Sequence, residues 1–258
     1  MAVELRRSAR IPNSAPPAPF EPIQQLRAHE YVAEQIRRHI ALRLIGPGES
    51  LPSERELAGM FGVGRPTIQH ALRLLEADRL VEARRGRRGG TFVCQPAEDA
   101  VAMDELIARV LRRRAELEEV LTYRRAIEPR VAREAARTSR RADLAAMWTA
   151  IDSMSRAAGE PDYMRHDTEF HLAVARATRN RFLLGAIEDV RLRLNDAMSL
   201  LPESDTWHRR LSGEHEAIVA AIERRDAAAA EEAMDSHVAA SDQSVRAVLT
   251  AITRRLAS

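Results

Sequence analysis

Apolar residues recur at intervals of three and four through most of the chain, and the interruptions mark its parts. Val32, Ile36 and Ile40 repeat every four residues and predict a first helix with one apolar stripe. Gly46-Pro47-Gly48 ends it. Ser53 is a good N-cap for a second helix, with Glu54 and Glu56 in its first turn and Leu57, Ala58 and Phe61 turned inward. Gly62-Val63-Gly64 makes a short turn, and Ile68, Ala71, Leu72 and Leu75 lay out the apolar face of a third helix. Two strands are expected at 80–83 and 91–94, flanking the polar, glycine-rich turn Arg84-Arg85-Gly86-Arg87-Arg88-Gly89-Gly90.

Beyond Pro96 the pattern is helical throughout. Runs over 116–137, 142–157, 163–177, 182–200, 209–224 and 227–252 are rich in Ala, Leu, Arg and Glu, all strong helix formers. Breaks fall near Gly159-Glu160-Pro161, Pro202 and Asp226. The fold class expected is mainly α: a winged helix-turn-helix of three helices and a β-hairpin, then an all-α bundle. Three parts follow: a Pro-rich tail without fixed structure over 1–24, a winged helix-turn-helix over 25–95, and a helical module over 96–258.

Charge sharpens this division. None of the 40 basic residues is lysine, and the net charge is only +2. Residues 1–96 hold 15 arginines against 10 acids, a balance of +5, whereas 97–258 hold 25 against 28, a balance of −3. A basic front on an acidic back suits a polyanion reader joined to something else. The single cysteine, Cys94, allows no internal disulfide and no cysteine-based zinc module, which fits a reducing cytoplasm. The longest stretch without charge, 11–20, spans ten residues and contains four prolines, so no membrane span is expected. No secretion signal is read at the N-terminus.

Two short helices around a glycine turn are the outline of a helix-turn-helix, whose second helix enters the DNA major groove. Arg65, Gln69 and Arg73 lie at i, i+4, i+8 opposite the apolar stripe of the third helix, with Thr67 near Arg65. Arginine can bond guanine O6 and N7 together, glutamine can bond adenine N6 and N7, and both reach phosphates. The four arginines of the hairpin turn, Arg84, Arg85, Arg87 and Arg88, suit a wing on the DNA backbone or minor groove. Each arginine alone could equally be a solvated charge; the whole set is harder to read that way.

Residues 30–93 resemble the N-terminal domain of the GntR family of bacterial transcription regulators. The resemblance runs through Pro47-Gly48-Glu49-Ser50-Leu51-Pro52-Ser53-Glu54-Arg55-Glu56-Leu57-Ala58 and Phe61-Gly62-Val63-Gly64-Arg65-Pro66-Thr67. It continues in Ala71-Leu72-Arg73-Leu74-Leu75-Glu76 and Thr91-Phe92-Val93. It implies a winged helix with Arg55, Arg65, Thr67, Gln69 and the wing-tip Gly86 at the DNA. Three positions depart from the family pattern. Gln69 stands where arginine is usual, Gly64 replaces a common serine, and Arg79 replaces a common glycine before the wing.

In the helical half, Asp167 and His171 are i, i+4 on one predicted helix, and His215 and His237 sit on two later ones. Three imidazoles and a carboxylate suit a borderline divalent ion, zinc or nickel; the plain alternative is histidines satisfied at helix interfaces. Residues 104–252 look like the FCD effector domain of the FadR-like subgroup of the same family. The segments are Tyr123-Arg124-Arg125-Ala126-Ile127-Glu128-Pro129, Asp167-Thr168-Glu169-Phe170-His171, Ala177-Thr178-Arg179-Asn180, Glu214-His215-Glu216-Ala217-Ile218 and Met234-Asp235-Ser236-His237. That resemblance implies a metal on Asp167, His171, His215 and His237. It also implies a small carboxylate effector beside the metal, paired by Arg124; the alternative for Arg124 is a buried salt bridge to a helix carboxylate.

The function expected is a homodimeric, sequence-specific regulator, a repressor of operator DNA relieved by its effector. The competing readings are a metal-dependent hydrolase, or a ligand-binding protein, with an accessory winged helix. No HExxH, nucleophile elbow or phosphate loop supports the hydrolase.

Overall fold

A computed structural model of the protein describes residues 27–86, 89–94, 100–157, 160–198 and 205–256. The expected tail over 1–24 and the wing residues Arg87 and Arg88 lie outside the described residues. In the N-terminal part, α1 (Ala28–Ala41), α2 (Glu54–Phe61) and α3 (Arg65–Ala77) precede an antiparallel hairpin of β1 (Val81–Arg84) and β2 (Gly90–Val93). The helical part comprises α4 (Ala100–Arg112), α5 (Arg114–Thr138), α6 (Arg141–Ser155), α7 (Glu160–Ala177), α8 (Arg181–Met198), α9 (Asp205–Glu223) and α10 (Ala227–Leu256).

The N-terminal elements close around one small core. Val32, Ala33 and Ile36 of α1, Leu57 of α2, and Ile68, Ala71, Leu72 and Leu75 of α3 meet Leu51, Val81 and Val93 there. Ser53 caps α2 as its sequence predicts: Glu56 N–H donates to Ser53 Oγ (3.3 Å) and Ser53 N–H donates to Glu56 Oε2 (2.8 Å). Gly64 begins α3 with no side-chain cap, and Pro66 in the first turn supplies a pre-set φ instead. Backbone bonds from Gly48 and Leu51 to Val93 and Thr91 (2.9 and 2.8 Å) lay the chain before α2 along β2.

The strands sit one residue away from their sequence-predicted positions, with Val81 opposite Val93. Leu80 is taken by the end of α3, where its N–H donates to Leu75 O (2.9 Å). The turn behind that bond passes through Arg79 at φ 56°, in the left-handed region. A left-handed residue thus ends α3, and glycine, common at this position in the family that the sequence resembles, adopts that conformation without a Cβ clash.

The second core fills the helical part. Leu121, Val131 and Ala135 of α5, Met147 of α6, Phe170 and Val174 of α7, Leu194 of α8, Ile218 of α9 and Val238 of α10 all belong to it. Pro129 lies inside α5 without ending it and is buried. α4 is a helix that the sequence reading did not single out. Leu42, at the end of α1, is buried in this second core rather than the first, which fastens the two parts together.

Replacing Arg79 by glycine should relieve the left-handed strain. We expect a gain of about 0.5–1 kcal/mol, read as a higher denaturant midpoint; an unchanged or lower midpoint would show that the arginine side chain compensates.

Candidate functional site

Two chemically distinct regions stand out, one on each core. On the N-terminal part, Arg65 and Arg73 are exposed on the outer side of α3, with Gln69 and Thr67 half-buried beside them. Arg55 is exposed on α2, and Arg85 and Gly86 are exposed at the wing tip. Gly86 has φ 117°, a conformation that L side chains rarely adopt. The structure therefore gathers the expected reading residues around α3, one turn of α2 and the wing.

One participant was not anticipated. Glu54, the first residue of α2, accepts from Arg65 Nη2 (3.2 Å) and Gln69 Nε2 (2.9 Å). It holds the Arg65 and Gln69 side chains with the kind of acceptor that a phosphate or base edge would present. His70, next on α3, stacks on His29 of α1 with ring centroids 3.8 Å apart and planes 6° from parallel. At the base of the wing, Arg84 lies over the Phe92 ring (4.5 Å) and bonds Glu82 (2.6 Å), so it works as a brace for the hairpin.

Inside the helical part, Asp167 and His171 of α7, His215 of α9 and His237 of α10 converge, all four buried. One ligand atom from each lies within 4.8 Å of those from the others. Asp167 Oδ1 faces His215 Nε2 (3.4 Å) and His171 Nε2 (3.7 Å). His171 Nε2 and both ring nitrogens of His215 are buried with no hydrogen bond among the described residues. Orphaned imidazole nitrogens in a core are costly unless something accepts them, and a cation does.

The outer contacts fit the same chemistry. His171 turns Nδ1 to Glu128 Oε2 of α5 (2.7 Å), and His237 Nδ1 bonds Glu214 Oε2 of α9 (3.0 Å). A carboxylate behind a ligating imidazole fixes its orientation and leaves the other nitrogen for the metal. Burial holds His171 below the ordinary imidazole range, against the pull of Glu128 and Asp167. Burial, reinforced by His215 and His171, holds His237 well below it. Both rings are then neutral near pH 7, the form in which imidazole ligates. Burial disfavours the Asp167 charge, but the Arg191 guanidinium outweighs it and keeps the carboxyl well below its usual range. The donor set of three imidazoles and one carboxylate fits zinc or nickel.

Arg124 is fully buried beside this cluster and takes the salt-bridge arrangement. Its Nε donates to Glu128 Oε1 (2.8 Å), and its Nη1 to Ser241 Oγ (3.0 Å) and Asp242 Oδ1 (3.1 Å). Burial raises the Asp242 carboxyl to about 6 in spite of Arg124. Arg191 of α8, also fully buried, pairs with Asp167 Oδ2.

Sequence reasoning missed Glu54, Glu128, Glu214 and Arg191. A spacing of four from Arg124 was a signal for Glu128, and adjacency to His215 a faint one for Glu214. Nothing local distinguishes Arg191 from the other arginines of a chain that has no lysine.

Zinc or nickel supplied at a hundred times its Kd should stabilise the full chain by about 2.7 kcal/mol. The paired substitution His171→Ala and His215→Ala should abolish that gain. Calorimetric melts with and without the metal read the difference, and a wild type indifferent to both ions would refute the ligand set.

Comparison with known proteins bears on both regions. The pattern described as bacterial regulatory proteins, gntR family, matches residues 28–93, and that of the FCD domain matches residues 119–240. The chain is 34% identical over 220 residues to the Uxu operon transcriptional regulator of Escherichia coli (strain K12), covering 82% of this chain and 84% of that one. It is 28% identical over 222 residues to the HTH-type transcriptional repressor NanR of Cronobacter sakazakii (strain ATCC BAA-894), covering 84% and 85%. With the Uxu operon regulator of Haemophilus influenzae (strain ATCC 51907 / DSM 11121 / KW20 / Rd) it shares 27% over 225 residues, covering 82% and 79%. A small helical core with an arginine-bearing helix and a wing, followed by a bundle with the FCD pattern, thus accompanies identity over most of the chain: the protein belongs to the GntR family of bacterial regulatory proteins, with an FCD domain in its helical part.

Proposed function

We propose that the protein is a homodimeric, cytoplasmic repressor whose hold on operator DNA responds to a small carboxylate bound beside a divalent metal. That it is a DNA-binding transcription regulator, and not an enzyme, follows from its family and from the names its relatives carry. In the finer reading, residues 25–95 form the DNA-binding domain and 96–258 the sensing and dimerisation domain, behind a tail over 1–24. Arg65, Gln69 and Arg73 read the major groove with Thr67. Arg55, Arg85 and Gly86 hold the backbone. Two copies on a twofold axis would address a pseudo-palindromic site.

The observation that carries the sensing half is the buried quartet Asp167, His171, His215 and His237. Around it, two guanidiniums, Arg124 and Arg191, stand against three carboxylates, Glu128, Asp167 and Asp242. Glu214, bonded to His237, adds a fourth, half-buried carboxylate, and a dication offsets the remaining negative charge. Arg124 can supply a bidentate contact to the effector carboxylate by exchanging Ser241 and Asp242 for it. Zinc or nickel, when bound, supplies a Lewis-acidic anchor for the effector oxygen. Glu128 and Glu214 keep the rings aimed.

The first test is an electrophoretic shift with the duplex upstream of the protein's own gene; no binding at low salt would sink the operator reading. Arg65→Ala should weaken operator binding by roughly 1–3 kcal/mol and flatten discrimination at one base pair. An equal loss on random DNA would make Arg65 a phosphate contact instead. Glu54→Gln removes the charge that occupies Arg65 and Gln69. It should tighten binding to a random duplex by about 0.5–1 kcal/mol at low salt, measured by fluorescence anisotropy, and a loss of affinity would show that Glu54 pre-orients the reading residues.

A further inference from the structure

The N-terminal part is tied to α7 and α8, the two helices that present Asp167 and Arg191 to the buried cluster. On the outside, Arg38 of α1 bonds Glu188 (2.9 Å) and Asp189 (3.1 Å) of α8. Arg165 of α7 pairs with Glu49, which in turn accepts from Gly46 N–H (2.8 Å). A third tie is buried, and it begins at the quartet itself.

The Asp167 carboxylate is divided between two neighbours. Oδ1 faces the imidazoles of His171 and His215, while Oδ2 is held by Arg191 Nη2. Arg191 Nη2 also donates to Thr168 Oγ1 (3.1 Å), and its Nε reaches the same oxygen (3.4 Å). The Thr168 hydroxyl has a single proton and two acceptors within reach, Met164 O (2.9 Å) and Asn195 Oδ1 (3.4 Å). Asn195, one turn along α8 from Arg191, points Nδ2 at Leu42 O (3.5 Å). Thr168, Arg191, Asn195 and Leu42 are all buried.

Leu42 is where α1 ends. Its own N–H closes on Arg38 O (2.9 Å), and Arg43 follows at φ 60°, so its carbonyl belongs to a helix terminus that has no further turn to satisfy it. Further up, α1 packs Val32, Ala33 and Ile36 against Ile68 and Ala71 of α3, and His29 stacks on His70. A shift at the Leu42 carbonyl therefore reaches the recognition helix through one rigid element.

We propose that Arg191 and Asn195 are positioning residues that link the filling of the Asp167 site to the setting of α1. This rests on the metal reading above. A cation at Oδ1 draws on the charge that otherwise belongs to Arg191 and repels the guanidinium directly. Arg191 then leans on Thr168, whose one proton is redistributed between Met164 O and Asn195 Oδ1. The long contacts at Thr168 and Asn195 are the adjustable ones in the chain of bonds. Buried polar groups act together because each loses heavily when its neighbour turns away. Arg191 Nη1, buried and without a hydrogen bond among the described residues, gives the guanidinium a reason to move.

The test is hydrogen–deuterium exchange on the full chain, chelated against zinc chloride, with zinc affinity measured by competition. In the wild type, zinc should change exchange in segment 38–49 as well as around 167–171, 215 and 237. Asn195→Ala should bind zinc within about threefold of the wild type and keep the changes around the ligands, but lose the change in 38–49. Asn195→Leu, of similar size, should do the same, so a folding defect confined to one variant does not decide the matter. Arg191→Gln, which removes the guanidinium that the cation would repel, should likewise lose the change in 38–49 while still binding zinc in the competition titration. Zinc binding with no effect at 38–49 in the wild type, or an undiminished effect in both Asn195 variants, would overturn the linkage while leaving the metal site standing. Failure of the wild type to bind zinc would overturn both, and the competition titration alone would reveal it.

Discussion

A carboxylate among imidazoles in the middle of a helical bundle is tolerable only with a positive charge beside it. Asp167 meets that constraint through Arg191 on one oxygen, and its other oxygen joins three imidazoles in a donor set that fits a metal ion. Much of the helical part is arranged around this pair. α5 brings Arg124 and Glu128, α9 brings His215 and Glu214, and α10 brings His237, Ser241 and Asp242. Each polar side chain in the cluster leans on another from a different helix, so the bundle can take up only a few arrangements of it.

The same logic in milder form governs the exposed face of α3. Arg65 and Gln69 project from a helix whose opposite side is wholly apolar, and Glu54 occupies them from the neighbouring helix. Because this contact is at the surface, exchange for a phosphate or base edge costs little. The buried cluster is therefore the stiff end of the molecule and the exposed face of α3 the exchangeable end. Between them lies α1, packed on α3 by its apolar stripe and finished at Leu42 inside the other core.

Most of the fold was legible along the chain. The α1 stripe, the Ser53 cap, the Gly62–Gly64 turn and the stripe of α3 are local patterns, and local patterns survive tertiary packing. The first strand begins one residue later than expected because the Leu80 N–H completes the end of α3, a competition that periodicity does not register, although its carbonyl still accepts from Cys94 N–H (3.0 Å). The quartet was legible too, since Asp167 and His171 share a helix face and isolated histidines stand out in Ala-rich runs. Glu128, Glu214 and Arg191 were not, because carboxylates and arginines are everywhere in this sequence and most of them are solvated.

By itself, then, the sequence determined most of the elements, their caps and breaks, and the basic and acidic ends, since all of these depend on neighbours within a few residues. Tertiary structure decided which of many identical side chains left water. Arg124 and Arg191 became buried partners of carboxylates, Arg65 and Arg73 stayed exposed, and Arg79 accepted a left-handed backbone. Charge in a protein takes its meaning from what it faces and how far it is from solvent. Both are properties of packed helices, and neither is written in the order of residues along one of them.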